Sequence, residues 1–170
     1  MSTNKVAFLL ANQFEDSEMK EPYEAVKKAG HDTEIIGLKK GETLKGKKGE
    51  STYTTDKSIA EVNINDYDAI VIPGGSSPEA LRNDSHILKF VKDANEQKKP
   101  IAAICHGPQI LISADILRGR VVTSYQALKD DMVNAGAEFK NEEVVVDGNY
   151  ITSRTPEDEP AFIRELLKTL

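Results

Sequence analysis

The chain has 170 residues, a length that suits one domain with a sizeable buried core. Its composition is that of a globular protein, and its formal net charge of −6, without a basic stripe, argues against nucleic acid as the main partner. A single cysteine excludes an internal disulfide, and the lack of a signal-peptide pattern or membrane-length apolar run predicts a cytoplasmic protein with a reduced thiol.

Short apolar runs alternate with helical patterns along the chain. The runs lack the period-2 alternation of a strand with one wet face, so they predict strands buried on both faces. In chain order the predicted strands are 5–11, 33–37, 68–73, 101–104 and 144–146, and the predicted helices are 17–29, 85–97, 129–135 and 157–170.

Two stretches break this alternation. The β-prone segment 51–55 predicts a small hairpin. It follows a basic, glycine-containing stretch, 39–48, that we expect to be a solvated loop. The segment 144–153 has Asp-Gly-Asn between β-prone runs, which is a strong hairpin signal. The pattern predicts an α/β fold: a single-domain, flavodoxin-like doubly wound sandwich with a mostly parallel sheet and added β-hairpins.

The cysteine, Cys105, lies where a predicted strand meets a predicted helix, and His106, Gly107 and Pro108 follow it. Such junctions form sites in α/β proteins and stabilise anions, so we expect a thiol pKa well below its ordinary value. The turn resembles the nucleophile elbow of hydrolases, and Gly107 leaves room for the turn and for a substrate. The alternative is a small buried hydrophobe without a chemical role.

A second junction follows the predicted strand 68–73, where Gly74 and Gly75 stand side by side. Paired glycines allow backbone N–H groups to point into a site, as an oxyanion hole requires. The Gly75 amide, with that of Cys105 or His106, is a candidate for this role. The alternative is a tight turn without a ligand, and the sequence has no phosphate-binding glycine motif.

Acidic residues follow the first predicted strand. Asp16 or Ser17 is expected to cap the next helix, and Glu15 and Glu18 are spaced to share one face of it. An ionised carboxyl group would repel a thiolate, so one in the site has to be protonated and donate a hydrogen bond to sulfur. From the residues alone, solvated charge at a helix start is the favoured interpretation.

The sequence predicts neither a metal nor a cofactor. Its histidines, His31, His86 and His106, belong to no metal-binding motif, and the lone cysteine forms no cluster.

The three junctions together resemble the PfpI-type intracellular proteases and deglycases of the class I glutamine amidotransferase-like superfamily. The matching segments are ANQFEDSE, VIPGGSSPE, AAICHGPQIL, TSYQALKDDMVNAGAEF, VVVDGNYITSRTPED and AFIRELLKTL. They span almost the whole chain in order. The resemblance therefore implies one domain of this kind over residues 1–170, with a flavodoxin-like fold.

The resemblance also implies roles for individual residues. It makes Cys105 the nucleophile and His106 its partner, with Gly75 and His106 supplying the oxyanion amides. Glu18 corresponds to an acid that is hydrogen-bonded to the thiolate, and Glu15 lies close by.

Three further positions are implied by the same resemblance. Glu79 matches a residue that reaches the histidine of a neighbouring subunit in oligomeric relatives, so we expect a homo-oligomer, a dimer or larger. Tyr125 matches a tyrosine that lines the pocket. Ser76 stands where some relatives carry arginine, so that cation is missing here.

The leading hypothesis is a cysteine-dependent hydrolase of protease, deglycase or glyoxalase type that limits aldehyde or general stress damage. Its substrates would be small carbonyl compounds or damaged proteins, and the absence of a long insertion favours a small electrophile over a folded polypeptide. The alternative is a redox sensor or holdase chaperone whose thiol is oxidised without turnover. Ligand binding without chemistry would leave the cysteine unexplained.

Overall fold

The computed structural model describes residues 3–170 as an α/β fold around a mostly parallel sheet. Its strands are β1 (Lys5–Leu9), β2 (Asp32–Gly37), β3 (Thr43–Lys45), β4 (Thr52–Thr54), β5 (Lys57–Ser58), β6 (Ala69–Ile72), β7 (Ile101–Ile104), β8 (Val121–Val122), β9 (Glu138–Phe139), β10 (Val145–Asp147) and β11 (Tyr150–Ser153). Its helices are α1 (Asp16–Lys28), α2 (Ser77–Leu81), α3 (Ser85–Glu96), α4 (Gln109–Ser113), α5 (Lys129–Asn134) and α6 (Glu159–Lys168).

Seven strands form the central sheet in the order β10-β11-β7-β6-β1-β2-β5. Each neighbouring pair is parallel except β10 and β11, which form the antiparallel hairpin that Asp-Gly-Asn predicts. The strands β6 and β7 are buried along their whole length, as their unbroken apolar sequences predict.

Helices cover both faces of the sheet. Apolar residues of α3 and α4 pack on one face, among them Phe90 and Leu111. Residues of α1 and α6 pack on the other, among them Met19 and Phe162. The predicted doubly wound sandwich is therefore confirmed. Within residues 3–170, no helix is both long and apolar enough to cross a membrane.

The basic stretch 39–48 differs from its prediction as a solvated loop. Part of it forms β3, which pairs with β4 as an antiparallel hairpin, and Leu44 is buried beneath that hairpin. The hairpin predicted around 51–55 is thus confirmed, and its partner strand comes from the lysine-rich side. The burial of Leu44 stabilises β3. The sequence does not predict this strand, because the glycines and lysines around Leu44 are typical of a loop.

Candidate active site

Cys105 follows β7 in a strained backbone conformation. Its φ of 62° lies in the left-handed region, which costs a non-glycine residue about 1–3 kcal/mol. Two hydrogen bonds hold it there: its N–H donates to the Ser153 carbonyl at 3.0 Å, and its carbonyl accepts the Tyr125 N–H at 2.9 Å. The sharp turn predicted at this cysteine is confirmed, and β11 and the segment after β8 fix its position.

His106 lies directly against the sulfur. The distance from Cys105 Sγ to His106 Nδ1 is 3.4 Å, and the imidazole stacks on Tyr125 with ring centroids 4.8 Å apart. Burial lowers the pKa of His106, the Lys47 ammonium lowers it further, and the charge of Glu79 opposes them. A neutral ring at pH 7 leaves a nitrogen able to accept the thiol proton.

The thiol itself does not have the low pKa that the sequence predicts. Burial raises the pKa of Cys105 to about 12 and the charge of Glu18 adds to the rise, while the His106 amide and Lys47 lower it. The expectation of an activated resting thiolate is therefore wrong. The residue is 8% exposed, and the five-residue α4 begins only at Gln109, beyond an intervening turn, so its dipole compensates little.

Glu18, in the first turn of α1, is fully buried, so the interpretation as a solvated helix start is wrong. Its Oε1 accepts the Gly74 N–H at 2.9 Å, and its Oε2 has no hydrogen-bond partner in the described part of the chain. The predicted hydrogen bond to the sulfur is therefore not formed. Burial raises the pKa of Glu18 to about 8, the Gly74 amide opposes the rise, and the charges of Glu15 and Glu159 add to it. The predicted protonation near neutral pH is consistent with that pKa.

The two glycines after β6 are both required by close contacts. A Cβ on Gly74 would lie 2.6 Å from Glu18 Oε1 and 3.0 Å from the Cys105 Cβ. Gly75 has a φ of 75°, and a Cβ there would lie 2.4 Å from the Gln13 carbonyl oxygen. This turn is therefore packed against both the acid and the cysteine, as the hypothesis of a site at this sheet edge requires.

Gly107 has a different use from the one the sequence predicts. A Cβ there would lie 2.6 Å from the Ile72 carbonyl oxygen, and its N–H donates to the Ile104 carbonyl at 2.9 Å. The residue is buried. It makes the turn possible, as predicted, but the space beside it is filled by β6 and β7 and not by a substrate.

Two backbone amides remain for an oxyanion. The amides of Gly74, Cys105 and Gly107 donate within the fold, to Glu18, Ser153 and Ile104 respectively. Among the described residues, the amides of Gly75 and His106 donate to no oxygen, and the His106 amide acts on the sulfur.

The acidic residues before α1 do not cap that helix. Glu15 is its N-cap without a side-chain hydrogen bond, and Asp16 instead accepts backbone N–H groups from the loop between β3 and β4. Glu15, 7% exposed, pairs with Lys47 Nζ at 3.2 Å and with Lys48 Nζ at 3.5 Å. The predicted capping is wrong because the hairpin supplies donors that come from beyond α1 in sequence.

The outer side of the site is more open. Tyr125 is 40% exposed beside the imidazole, and Glu79, exposed on α2, acts on His106 through its charge. Ser76 is exposed ahead of α2. Within residues 3–170, no group of three or more His, Cys, Asp or Glu side chains is arranged to hold a metal ion.

The family model described as DJ-1/PfpI matches residues 4–169 of this chain. The chain belongs to the DJ-1/PfpI family. Protein/nucleic acid deglycase 2 of Escherichia coli is 50% identical over 99% of this chain and 98% of its own length. General stress protein 18 of Bacillus subtilis is 50% identical over 98% of this chain and 97% of its own length.

A solved structure of this family has the same fold. The two-domain protein of Anabaena variabilis, with DJ-1/ThiJ/PfpI-like and ferritin-like domains, superposes with a TM-score of 0.96 at 42% identity. The match covers 98% of this chain and 48% of the other, so this chain spans about half the length of that protein.

Lys47 is the residue of this DJ-1/PfpI chain that sequence reasoning missed. It was placed in a solvated loop, yet its charge acts on both Cys105 and His106. A cation therefore acts on the site, although Ser76 stands where the resemblance places an arginine in some relatives and the sequence predicts that this cation is missing. The available signal was the Gly-Lys-Lys-Gly stretch 46–49, and nothing in its local pattern points to a cysteine so far along the chain.

Proposed function

We propose that this protein is a cysteine-dependent hydrolase of deglycase or glyoxalase type that removes reactive carbonyl damage in the cytoplasm. The observation that supports this most is the 3.4 Å contact between the Cys105 sulfur and His106 on a strained turn beside the Gly75 amide. The family match supports it too, as do relatives named deglycase and general stress protein at 50% identity. We treat residues 1–170 as one domain of this kind.

In the proposed reaction, Cys105 begins as a thiol. As Sγ bonds to the carbonyl carbon, His106 takes the thiol proton and the carbonyl π electrons move to oxygen. The amides of Gly75 and His106 bind that oxygen, which then takes the proton to give a hemithioacetal. Pairing deprotonation with attack explains how a buried thiol of high pKa can act as a nucleophile.

For a 2-oxoaldehyde, the hemithioacetal carbon then loses its proton, the hydroxyl proton on that carbon is transferred to the adjacent carbonyl oxygen, and the adjacent carbon takes up a proton. The former hydroxyl becomes the carbonyl of a thioester of a 2-hydroxy acid. Glu18, whose pKa of about 8 leaves it largely protonated at pH 7, is the group proposed to assist these transfers. Water hydrolyses the thioester, releases the acid and restores the thiol. The sequence of steps is redox-neutral and needs no cofactor.

The test is methylglyoxal consumption in a buffer free of amines and thiols. Cys105→Ala is expected to be inactive. His106→Gln is expected to lose about 10²–10⁴ in rate, the usual contribution of a general base. His86→Gln, at the exposed start of α3, is the matched control and should retain activity. Glu18→Gln should retain part of the activity if Glu18 acts as a neutral donor.

Two results would end this proposal. If Cys105→Ala retained the turnover of the wild type, Cys105 could not be the nucleophile. Absence of turnover with any dicarbonyl or its amine and thiol adducts would favour the redox-sensor or holdase alternative, and reversible oxidation of Cys105 by peroxide would then be measured.

A further inference from the structure

The loop between β3 and β4, residues 46–51, is attached to the start of α1 by one buried carboxylate. We call these residues the hairpin tip. Asp16, 2% exposed, accepts the N–H of Lys48 at 2.8 Å, of Glu50 at 3.0 Å and of Ser51 at 2.9 Å. A Cβ on Gly46 would lie 2.1 Å from Asp16 Oδ2, so the backbone of the tip is in direct contact with the carboxylate.

This attachment directs three hydrogen bonds from one segment to the carboxylate of Asp16. Burial would raise the pKa of Asp16, but the amides of Lys48, Ser51 and Glu50 hold it below its ordinary value. The carboxylate is therefore charged at pH 7 and balanced by backbone dipoles, with no cation among its hydrogen-bond partners. Its partners lie 32 to 35 residues away in sequence, so Asp16 fastens the tip to a distant part of the domain.

The tip carries Lys47 to Glu15, whose N–H donates to the Gly74 carbonyl at 3.2 Å beside the cysteine. The Lys47 N–H donates to the Phe14 carbonyl at 2.9 Å, and Lys47 Nζ lies 3.2 Å from Glu15 Oε1. His106, from the same turn, contacts the Cys105 sulfur, and three charged groups act on the thiol through their charge: Glu18 from α1, Glu15 from the loop before it and Lys47 from the tip. Of these, the two glutamates oppose a thiolate and Lys47 favours one.

We propose that Asp16 is a positioning residue that controls the reactivity of Cys105 by holding the hairpin tip so that the Lys47 ammonium lies beside the site. Asp16 itself touches no reacting atom. Its carboxylate is stabilised by the three backbone amides, and it affects the sulfur only by fixing the position of Lys47. This inference rests on the proposed role of Cys105 as the nucleophile and adds a residue on which that role depends.

The test is the rate of alkylation by iodoacetamide as a function of pH, measured as the mass of the intact chain. Asp16→Asn places an NH2 group where the carboxylate accepts N–H donors, so the tip should detach. The expected result is a slower reaction below the midpoint by about three- to tenfold, the size expected when a nearby, partly exposed cation is lost. Lys47→Met should slow it to the same extent.

The double variant separates positioning from a general structural effect. If Asp16 acts through Lys47, Asp16→Asn should have no further effect in the Lys47→Met background. Asp56→Asn is the matched control, because Asp56 also accepts a backbone N–H, that of Ile35 at 2.8 Å, and acts on no group of the site. It should leave the alkylation profile unchanged.

Gly46→Ala provides a second route if Asp16→Asn does not fold. It displaces the tip without removing a charge, and it should slow alkylation in the same direction. An unchanged profile in folded Asp16→Asn and Gly46→Ala, or effects that add to that of Lys47→Met, would overturn the proposal. If the wild type showed no methylglyoxal turnover while the substitutions still slowed alkylation as expected, the proposed function would be refuted and the positioning role of Asp16 would stand.

Discussion

At the scale of single residues, the site pairs a neutral base with a protonated acid around one buried thiol. His106 is neutral because burial and Lys47 disfavour its charged form, and Glu18 is protonated because burial and neighbouring carboxylates disfavour its ionised form. Both shifts keep net charge out of the space around Cys105 before a substrate arrives. Under the proposed mechanism, reactivity is a property of the pair of Cys105 and His106 and not of the sulfur alone.

Glu18 makes the stability of the fold depend on pH. Its pKa is about 8 in the folded state and near its ordinary value of 4.5 when unfolded, so between these values the folded chain holds a proton that the unfolded chain releases. Its contribution is therefore fully present below pH 4.5 and is lost as pH rises through 8. The loss should amount to at most about 1.4 kcal/mol per pH unit.

Urea unfolding of wild type and Glu18→Gln across that window measures this effect. The amide cannot ionise, so the stability of Glu18→Gln relative to wild type should rise steadily with pH and level off above about pH 8. A difference between the two proteins that does not vary with pH would show that Glu18 is ionised in the fold throughout.

Sequence reasoning identified the residues of the site better than their protonation states. Cys105 was singled out because it lies where a strand ends, and such positions converge at one edge of a parallel sheet. Glu18 was assigned through the family resemblance, since the residues alone favoured a solvated helix start. The thiol pKa was predicted in the wrong direction, since local sequence shows a nearby helix but not the depth at which the sulfur is buried. Lys47 was missed because its partner Glu15 lies across a tertiary contact.

At the scale of elements, the short loop between β1 and α1 lies between the turn that follows β6 and the hairpin of β3 and β4. On one side its Gln13 carbonyl accepts the Ser76 N–H at 2.8 Å, and Phe14 bridges Gly75 in the turn after β6. On the other side its Gln13 N–H donates to the Lys45 carbonyl at 2.9 Å, at the end of β3. A displacement of this loop would therefore move the Gly74 and Gly75 turn after β6 and the hairpin tip together.

A matched pair of glycines tests this contact. Gly75 and Gly41 have φ values of 75° and 73°, but a Cβ on Gly41 would meet nothing within 4 Å whereas one on Gly75 would strike the Gln13 carbonyl. Gly41→Ala should cost about 1–2 kcal/mol from backbone strain alone. Gly75→Ala should cost more and should also lower methylglyoxal turnover, because the Gly75 amide has to move.

Unfolding free energies and turnover rates of both variants are the measurements. Equal destabilisation by the two substitutions, with activity intact in Gly75→Ala, would mean that the loop moves without disturbing the site.

The two hairpins show how far the sequence predicts individual elements. Asp-Gly-Asn specifies the turn between β10 and β11 locally. In contrast, β3 is stabilised by burial of Leu44 in the tertiary structure, which the local sequence does not predict.

At the scale of the whole molecule, the central sheet gathers the site at one edge. The strands β1, β6 and β7 are adjacent and parallel, and their carboxyl ends lead to Glu18, Gly75 and Cys105 respectively. This much follows from sequence, since alternating buried strands and helices specify a doubly wound sheet. The order of the strands and the position of the hairpin do not follow from the sequence, because both depend on pairing between distant segments.

We expect the protein to self-associate with Glu79 near the contact. Glu79 is exposed on α2 and acts on His106, and the Tyr125 ring stacked on that imidazole is 40% exposed, so a second copy could cover this side of the site. Light scattering should give a multiple of the monomer mass, and Glu79→Lys should reduce both that mass and the turnover. A fully active monomer would show that the site is complete within one chain.

The crowding around Gly74 restricts how this sequence can change over generations. An alanine there would place its Cβ 2.6 Å from Glu18 Oε1, so a descendant could gain a side chain at 74 only after the acid at 18 had become shorter. A descendant that kept the acid would be confined to glycine. The two positions, 56 residues apart, are thus tied in the order of their substitutions. A lineage that lost the acid would still have to shift the Cys105 Cβ and the Ile104 carbonyl oxygen, each 3.0 Å from a Cβ at 74, before a side chain could settle beside the cysteine.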